Sequence, residues 1–174
     1  MYDASNDTYD QLDITHAKVH RGASFVYARE YTIAVSGSSA ILIVPAVGEE
    51  LHFTAGVSTK GTSVSRLYRN PVITSNGSEV AWLNRNDEFQ GTKTLTSKIY
   101  LNPSYSLATD PNKGLMEVNV NAAGIKADVG AIANDRLEIP MQSTNKYVLE
   151  VTDSSAATNN SAVNISVYRD GQPY

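Results

Sequence analysis

The stretch YVLEVT, residues 147–152, decides the fold class, because large apolar side chains occupy every second position along it. The stretch VNISVY, residues 163–168, repeats this period near the end of the chain. Successive side chains of a β-strand point to opposite faces, so each stretch offers one face to a core and the other to water. Such one-sided alternation is typical of antiparallel sheets, since parallel sheets are usually buried on both faces.

The same period of two recurs along most of the chain. It is present in residues 51–58, 94–101, 116–120 and 137–141. Residues 40–44 are instead continuously apolar and predict a strand that is covered on both sides. Asn76-Gly77 predicts a tight hairpin, and Asn159-Asn160 predicts a further turn. Roughly ten short strands separated by turns predict an all-β fold, an antiparallel β-sandwich of jelly-roll-like form.

The first 20 residues differ in character from the rest. They contain four aspartates against a single lysine and show no sustained periodicity. We therefore expect an extended N-terminal arm over residues 1–20 and one β-sandwich domain over residues 21–174. Within that domain, residues 122–134 carry apolar residues at helical spacing, interrupted by two glycines, and a surface loop and a short helix both remain open.

Composition excludes several classes of protein. The net charge is −4, with no cluster of basic residues, which argues against nucleic-acid binding. Cysteine is absent, so disulfides and thiolate metal sites are excluded. The longest apolar run is far too short to cross a bilayer, and we expect a protein without a membrane partner.

Catalytic and metal-binding motifs are not evident either. The three histidines are His16, His20 and His52, and none lies in a zinc-protease motif or beside a recognisable nucleophile. Glu49 and Glu50 are adjacent, so on a strand they point to opposite faces and cannot act as a glycosidase pair. We expect a protein that is not an enzyme and has no catalytic residues, no bound metal and no cofactor.

Two groups of residues are candidates for contacts with a partner or a sibling subunit. Tyrosine is unusually abundant, with ten residues against three Phe and one Trp, although tyrosine also has a high strand propensity. The candidates in the loop after the predicted hairpin are Trp82, Asn84, Arg85 and Asn86. These side chains either bind a partner or hydrogen-bond to loop backbone. The candidates in the arm are Tyr2, Tyr9, Leu12 and Ile14, which suit either a docking arm or an idle tail.

A series of short motifs resembles a known family in order and spacing. The motifs are HRGASF at 20–25, LY at 67–68, NG at 76–77, NRN at 84–86, DRL at 135–137, TNKYVLEVT at 144–152 and VNISVY at 163–168. Over about residues 18–169 the chain resembles small structural proteins of tailed bacteriophages, known as capsid decoration (cement) proteins and head fibres. The resemblance implies a jelly-roll-like domain, often a homotrimer, that binds the major capsid protein on the outer surface of the virion.

Taken together, these features predict a phage capsid decoration protein. It would bind the outside of the icosahedral head and stabilise it by bridging neighbouring capsomers. An alternative is a receptor- or carbohydrate-binding module of a phage head or tail fibre, in which tyrosines and Trp82 stack on sugar rings. An unrelated structural β-domain is a further alternative.

Overall fold

The computed structural model describes residues 18–107, 114–121 and 138–170, and these contain thirteen β-strands, a turn of 3-10 helix at Asp87–Phe89 and a short helical stretch over residues 18–20. The strands are β1 Ser24–Ile33, β2 Ser38–Val44, β3 Glu50–Thr59, β4 Thr62–Arg69, β5 Val72–Ser75, β6 Ser78–Val80, β7 Leu83–Asn84, β8 Lys98–Leu101, β9 Ser104–Ser106, β10 Gly114–Asn121, β11 Ile139–Met141, β12 Tyr147–Asp153 and β13 Asn159–Asp170. No helix in this part of the chain is long and apolar enough to span a membrane.

The strands form two large sheets and a two-stranded ribbon. The five-stranded sheet has the order β11-β3-β13-β1-β7, and the six-stranded sheet has the order β10-β4-β12-β2-β8-β6. The ribbon consists of β5 and β9. All of these pairs are antiparallel, and the two large sheets enclose one apolar core. The predicted all-β antiparallel sandwich is confirmed.

Strand pairing follows a nested order along the chain. β1 pairs with β13, β2 with β12, β3 with β11, β4 with β10, β5 with β9 and β6 with β8. β7 lies between β6 and β8 in the sequence and pairs with β1. The chain is therefore one long antiparallel hairpin that folds over into two layers, which is the topology of a jelly roll.

The alternation read from the sequence correctly identifies the inward faces. Tyr147, Leu149 and Val151 are each at most 2% exposed, and Ile165 and Val167 face them from the other sheet at 0%. Burying side chains of this size contributes about 1.5–3 kcal/mol each to stability. The core therefore accounts for the packing of the two sheets without any cross-link.

Residues 40–44 are covered on both sides, as predicted. Ile41 and Ile43 face the main core, whereas Leu42 faces outward and is 0% exposed. The β5–β9 ribbon lies over this outward face and packs Ile73 and Tyr105 against a second apolar cluster. Val148 on β12 is buried by the same ribbon, although alternation alone predicts that this position meets water.

Two turn predictions are wrong. Asn76-Gly77 does not close a hairpin, because β5 and β6 on either side of it belong to different sheets. Gly77 has φ +86°, and a Cβ atom there would overlap the Leu101 carbonyl oxygen, so the pair instead forms a tight crossing between layers. Asn159 and Asn160 begin β13 rather than forming a turn, since Asn159 is buried between the sheets. Residues 122–134 lie outside the described residues.

Candidate functional site

One end of the sandwich brings together the root of the predicted arm, the β2–β3 connection and the segment from β7 to β8. Trp82 Nε1 donates a hydrogen bond to the Ser97 carbonyl at 3.0 Å, and the Ala46 amide donates to Ser97 Oγ at 2.8 Å. Asn84 Nδ2 donates to the Gly22 carbonyl at 2.9 Å. We call this region the arm end, and it contains every described candidate residue from the sequence.

The root of the arm is a short helical turn that stops abruptly at Gly22. The Gly22 amide donates to the Val19 carbonyl and the Ala23 amide donates to the Lys18 carbonyl, both at 2.9 Å. This pairing, with Gly22 at φ +64°, is the Schellman pattern that ends helices. A Cβ atom on Gly22 would lie 2.5 Å from the Phe89 ring, so glycine is required both for its conformation and for close packing.

Asn84 holds this root from within. It is 5% exposed, and its Nδ2 also donates to the Lys93 carbonyl at 3.3 Å. Its Oδ1 accepts a hydrogen bond from the Asn86 amide at 2.9 Å. One buried amide therefore fixes three backbone segments that neither sheet can pair.

The neighbours of Asn84 divide between structural and exposed roles. Asn86 Oδ1 accepts from the Glu88 amide at 3.1 Å and caps the 3-10 turn, while its Nδ2 donates to the His20 carbonyl at 3.4 Å. The Arg85 amide donates to the Ser24 carbonyl at 3.0 Å, which leaves the Arg85 side chain exposed on the surface.

Trp82 is half-buried and packs its ring against the main core. With its N–H bonded to Ser97, the indole is used for local structure. Of the two interpretations open in the sequence, hydrogen bonding to loop backbone therefore describes Trp82, Asn84 and Asn86. Contact with a partner stays a prediction for all four loop residues.

Glu49 is the centre of a buried network that the sequence analysis missed. The side chain is 9% exposed, and Oε2 accepts hydrogen bonds from the Ser97 amide at 2.9 Å and from Ser97 Oγ at 2.6 Å. Oε1 accepts from the Thr96 amide at 3.1 Å and lies 3.4 Å from Arg169 Nη1. Glu49 shares the inward parity of Leu51, which is the signal that could have revealed it.

The ionisation of Glu49 follows from these contacts. Burial alone would raise the pKa of its carboxyl, but the hydrogen bonds from Ser97 and Thr96, together with Arg169, outweigh burial. The pKa of Glu49 is therefore held below its ordinary value of 4.5, and the carboxylate is charged at neutral pH.

Two large apolar side chains protrude from the arm end. Val47 is 95% exposed and follows Ala46, and Leu83 is 56% exposed and follows Trp82. Both therefore lie next to residues that are anchored on Ser97. Both side chains are therefore available for contact with another protein.

A second cluster lies beside the arm root on the outer face of the five-stranded sheet. The Glu138 carboxylate accepts a hydrogen bond from the Tyr168 hydroxyl and pairs with His52 Nδ1. The His52 and Tyr168 rings stack with their centroids 4.7 Å apart and their planes 4° apart. Lys18 Nζ lies 5.8 Å from the centre of the Tyr168 ring. His52 thus lies on the outward face of its strand, as its parity predicts.

Among residues 18–107, 114–121 and 138–170, no group of three or more His, Asp or Glu side chains converges in a way that could hold a metal. The predicted contact residues of the arm, Tyr2, Tyr9, Leu12 and Ile14, lie outside the described residues.

No family model matches the chain, and no curated protein matches it either.

Proposed function

We propose that the chain is a capsid decoration protein of a tailed bacteriophage, and that its arm end contacts the outer surface of the head. In this proposal the partner is the major capsid protein, and the sandwich bridges neighbouring capsomers. The order of motifs along the sequence suggests the family, and the jelly-roll topology is compatible with it. No step of the proposed function requires a catalytic group or a cofactor.

The observation that carries the proposal is the convergence at the arm end. Asn84 and Asn86 bind the backbone of the arm root at Gly22 and His20. The arm and the loop, selected separately from the sequence, therefore begin at the same end of the sandwich. The arm end could therefore place both the arm and the loop against one neighbouring surface.

Exposed apolar side chains at the arm end are a source of binding energy. Burying a side chain such as Val47 against a partner contributes about 1.5–3 kcal/mol. That contribution is modest for one subunit. In a homotrimer, however, once one arm end is bound to the shell, the other two bind at high effective concentration. Ligands that bind the assembled shell and not its dissociated subunits stabilise the shell by mass action.

The carbohydrate-binding alternative receives no specific support from the geometry. Its main candidate, Trp82, is half-buried, packs its ring against the core and donates its N–H within the chain, so the indole already has a structural role. We therefore develop the decoration proposal alone.

The proposal can be tested by co-sedimentation with mature phage heads that lack decoration, together with the melting temperature of those heads. We expect the wild-type chain to bind and to raise the melting temperature of the heads. Val47→Asp should weaken binding about tenfold or more, because the side chain is lost from the contact without disturbing a core.

Val35→Asp is the matched control. Val35 is also an exposed valine, at 48%, but it lies in the turn between β1 and β2 at the opposite end of the sandwich, where Ile33 pairs with Asn159. Circular dichroism should show the same sheet content in both variants. Failure of the wild-type chain to bind heads would contradict the proposed function. Equal loss of binding in both variants would contradict the assignment of the arm end.

A further inference from the structure

Buried polar side chains line the interior at the opposite end of the sandwich, which we call the distal end. It comprises the turn between β3 and β4, the connection from β12 to β13, and the strand ends beside them. The buried polar residues here are Thr59, Ser63, Ser65, Asp153, Asn159 and Ser161, all between 0% and 8% exposed. An interior end of a sandwich is normally filled with apolar side chains, so this composition needs an explanation.

These side chains are neighbours. Ser63 lies directly opposite Asp153 in the β4–β12 pair, where facing Cβ atoms are about 5 Å apart. Asn159 Nδ2 donates a hydrogen bond to Thr59 Oγ1 within the five-stranded sheet, and the Asn159 side chain is also close enough to lower the pKa of Asp153 in the six-stranded sheet. The turn closes over them, since a Cβ atom on Gly61 would lie 2.9 Å from Asn159 Nδ2.

Four oxygen atoms in this region are buried and have no hydrogen-bond partner. They are Asp153 Oδ2, Asn159 Oδ1, Ser63 Oγ and Ser65 Oγ. A buried polar atom without a partner destabilises the folded chain, so several of them in one place indicate that a bound molecule or ion satisfies them.

The charge at the distal end is negative. Asp153 Oδ1 accepts hydrogen bonds from Ser155 Oγ at 2.6 Å and from the Ser155 amide at 3.0 Å. These bonds, with a smaller contribution from the Asn159 side chain, lower the pKa of Asp153, so the carboxylate is ionised at neutral pH. None of the ion pairs seen in the described parts of the chain involves Asp153.

We propose that the four oxygens of Ser63, Ser65, Asp153 and Asn159 bind a hard metal cation at the distal end. Carboxylate, amide and hydroxyl oxygens are the ligands that such cations prefer. A water molecule could also satisfy neutral oxygens, but a cation additionally neutralises the buried carboxylate. With one charged ligand the site is weak, with a dissociation constant for Ca²⁺ on the order of 10⁻⁴–10⁻³ M.

The test is thermal unfolding of the whole chain in chelator, in about 10 mM CaCl₂, and in NaCl or choline chloride at matched ionic strength. We expect Ca²⁺ to raise the melting temperature by about 3–8 °C. Choline should have no effect on the melting temperature. A rise in NaCl would show that a monovalent metal cation also binds at the site. Asp153→Asn, which preserves side-chain shape, should abolish the Ca²⁺ shift.

Glu30→Gln is the matched control, because Glu30 is an exposed carboxylate on a strand and its loss should leave the shift unchanged. Ser63→Ala adds a second test. In chelator this variant should have a higher melting temperature than the wild type, because an unpaired buried hydroxyl has been removed. Its Ca²⁺ shift should be smaller than that of the wild type, because the proposed site has lost one ligand. A wild-type melting temperature that is the same with Ca²⁺, Na⁺ and choline would overturn the proposal in favour of buried water.

Discussion

The two ends of the sandwich each bury one carboxylate and treat it differently. At the arm end, both oxygens of Glu49 accept hydrogen bonds from neighbouring chain segments. At the distal end, one oxygen of Asp153 is satisfied by Ser155 and the other has no partner. The chain itself thus completes one end and leaves acceptor oxygens unsatisfied at the other.

This difference indicates that the arm end, whose buried carboxylate is satisfied by the chain itself, is rigid without a ligand. The segments at the arm end lack sheet partners, so they depend on buried side chains such as Asn84 and Glu49 for their position. Arg169 Nε is an exception there, since it is buried without a partner although Nη1 faces Glu49. The distal end is bounded by regular strands, and its unsatisfied atoms are side-chain oxygens.

The largest expected effect comes from removing the arm-end carboxylate. Glu49→Ala leaves the Ser97 amide, the Thr96 amide and the Arg169 guanidinium without their acceptor, and should lower the free energy of unfolding by about 3–5 kcal/mol. Urea denaturation measures this loss. Asp153→Ala in chelator should cost clearly less, because fewer hydrogen bonds end on Asp153. Equal losses in the two variants would remove the contrast between the ends.

A smaller effect is expected at the arm root. Asn84→Ala removes a buried amide that binds the Gly22 and Lys93 carbonyls and the Asn86 amide, and should cost about 2 kcal/mol. Hydrogen exchange should show faster exchange at the Asn86 amide. Asn164→Ala, at an exposed position on β13, serves as the control and should change neither quantity. Unchanged protection of the Asn86 amide would contradict the role given to Asn84.

The smallest expected effect is on pH dependence. The pKa of Glu49 is lower in the folded chain than in the unfolded one, so its stabilising contribution is present above about pH 4.5 and is lost as the pH falls through the folded value. Glu49→Gln should therefore lose less stability than the wild type between about pH 5 and about pH 3. Urea midpoints across this range measure the difference, and parallel curves would argue against a lowered pKa.

The fold was largely predictable because its signal is local. Alternation at residues 147–152 and the apolar run at 40–44 report directly on which faces are buried. Asn76-Gly77 misled because its preference for a hairpin is also local, whereas the pairing of β5 and β6 was decided by distant strands. Local turn preference is outweighed when both flanking strands find better partners elsewhere.

The candidate site was only partly predictable. Asn84 and Asn86 stood out because polar residues clustered in a loop need backbone partners. The distal oxygens gave no such signal, since Ser63 and Asp153 lie far apart in the sequence and each is unremarkable in its own strand. Their proximity is a product of register between β4 and β12, which alternation does not determine.

The nested order of strand pairs has a consequence for how the chain is made. β13 is the last of the described strands, yet it lies between β1 and β3 and supplies hydrogen bonds to both. During synthesis, β1 and β3 must therefore wait with open edges until β13 has left the ribosome. Such long-range closure is slow, on the order of milliseconds to seconds, and it exposes unpaired strands to aggregation. Yield of this protein should therefore depend on chaperones and temperature during synthesis more than on its final stability.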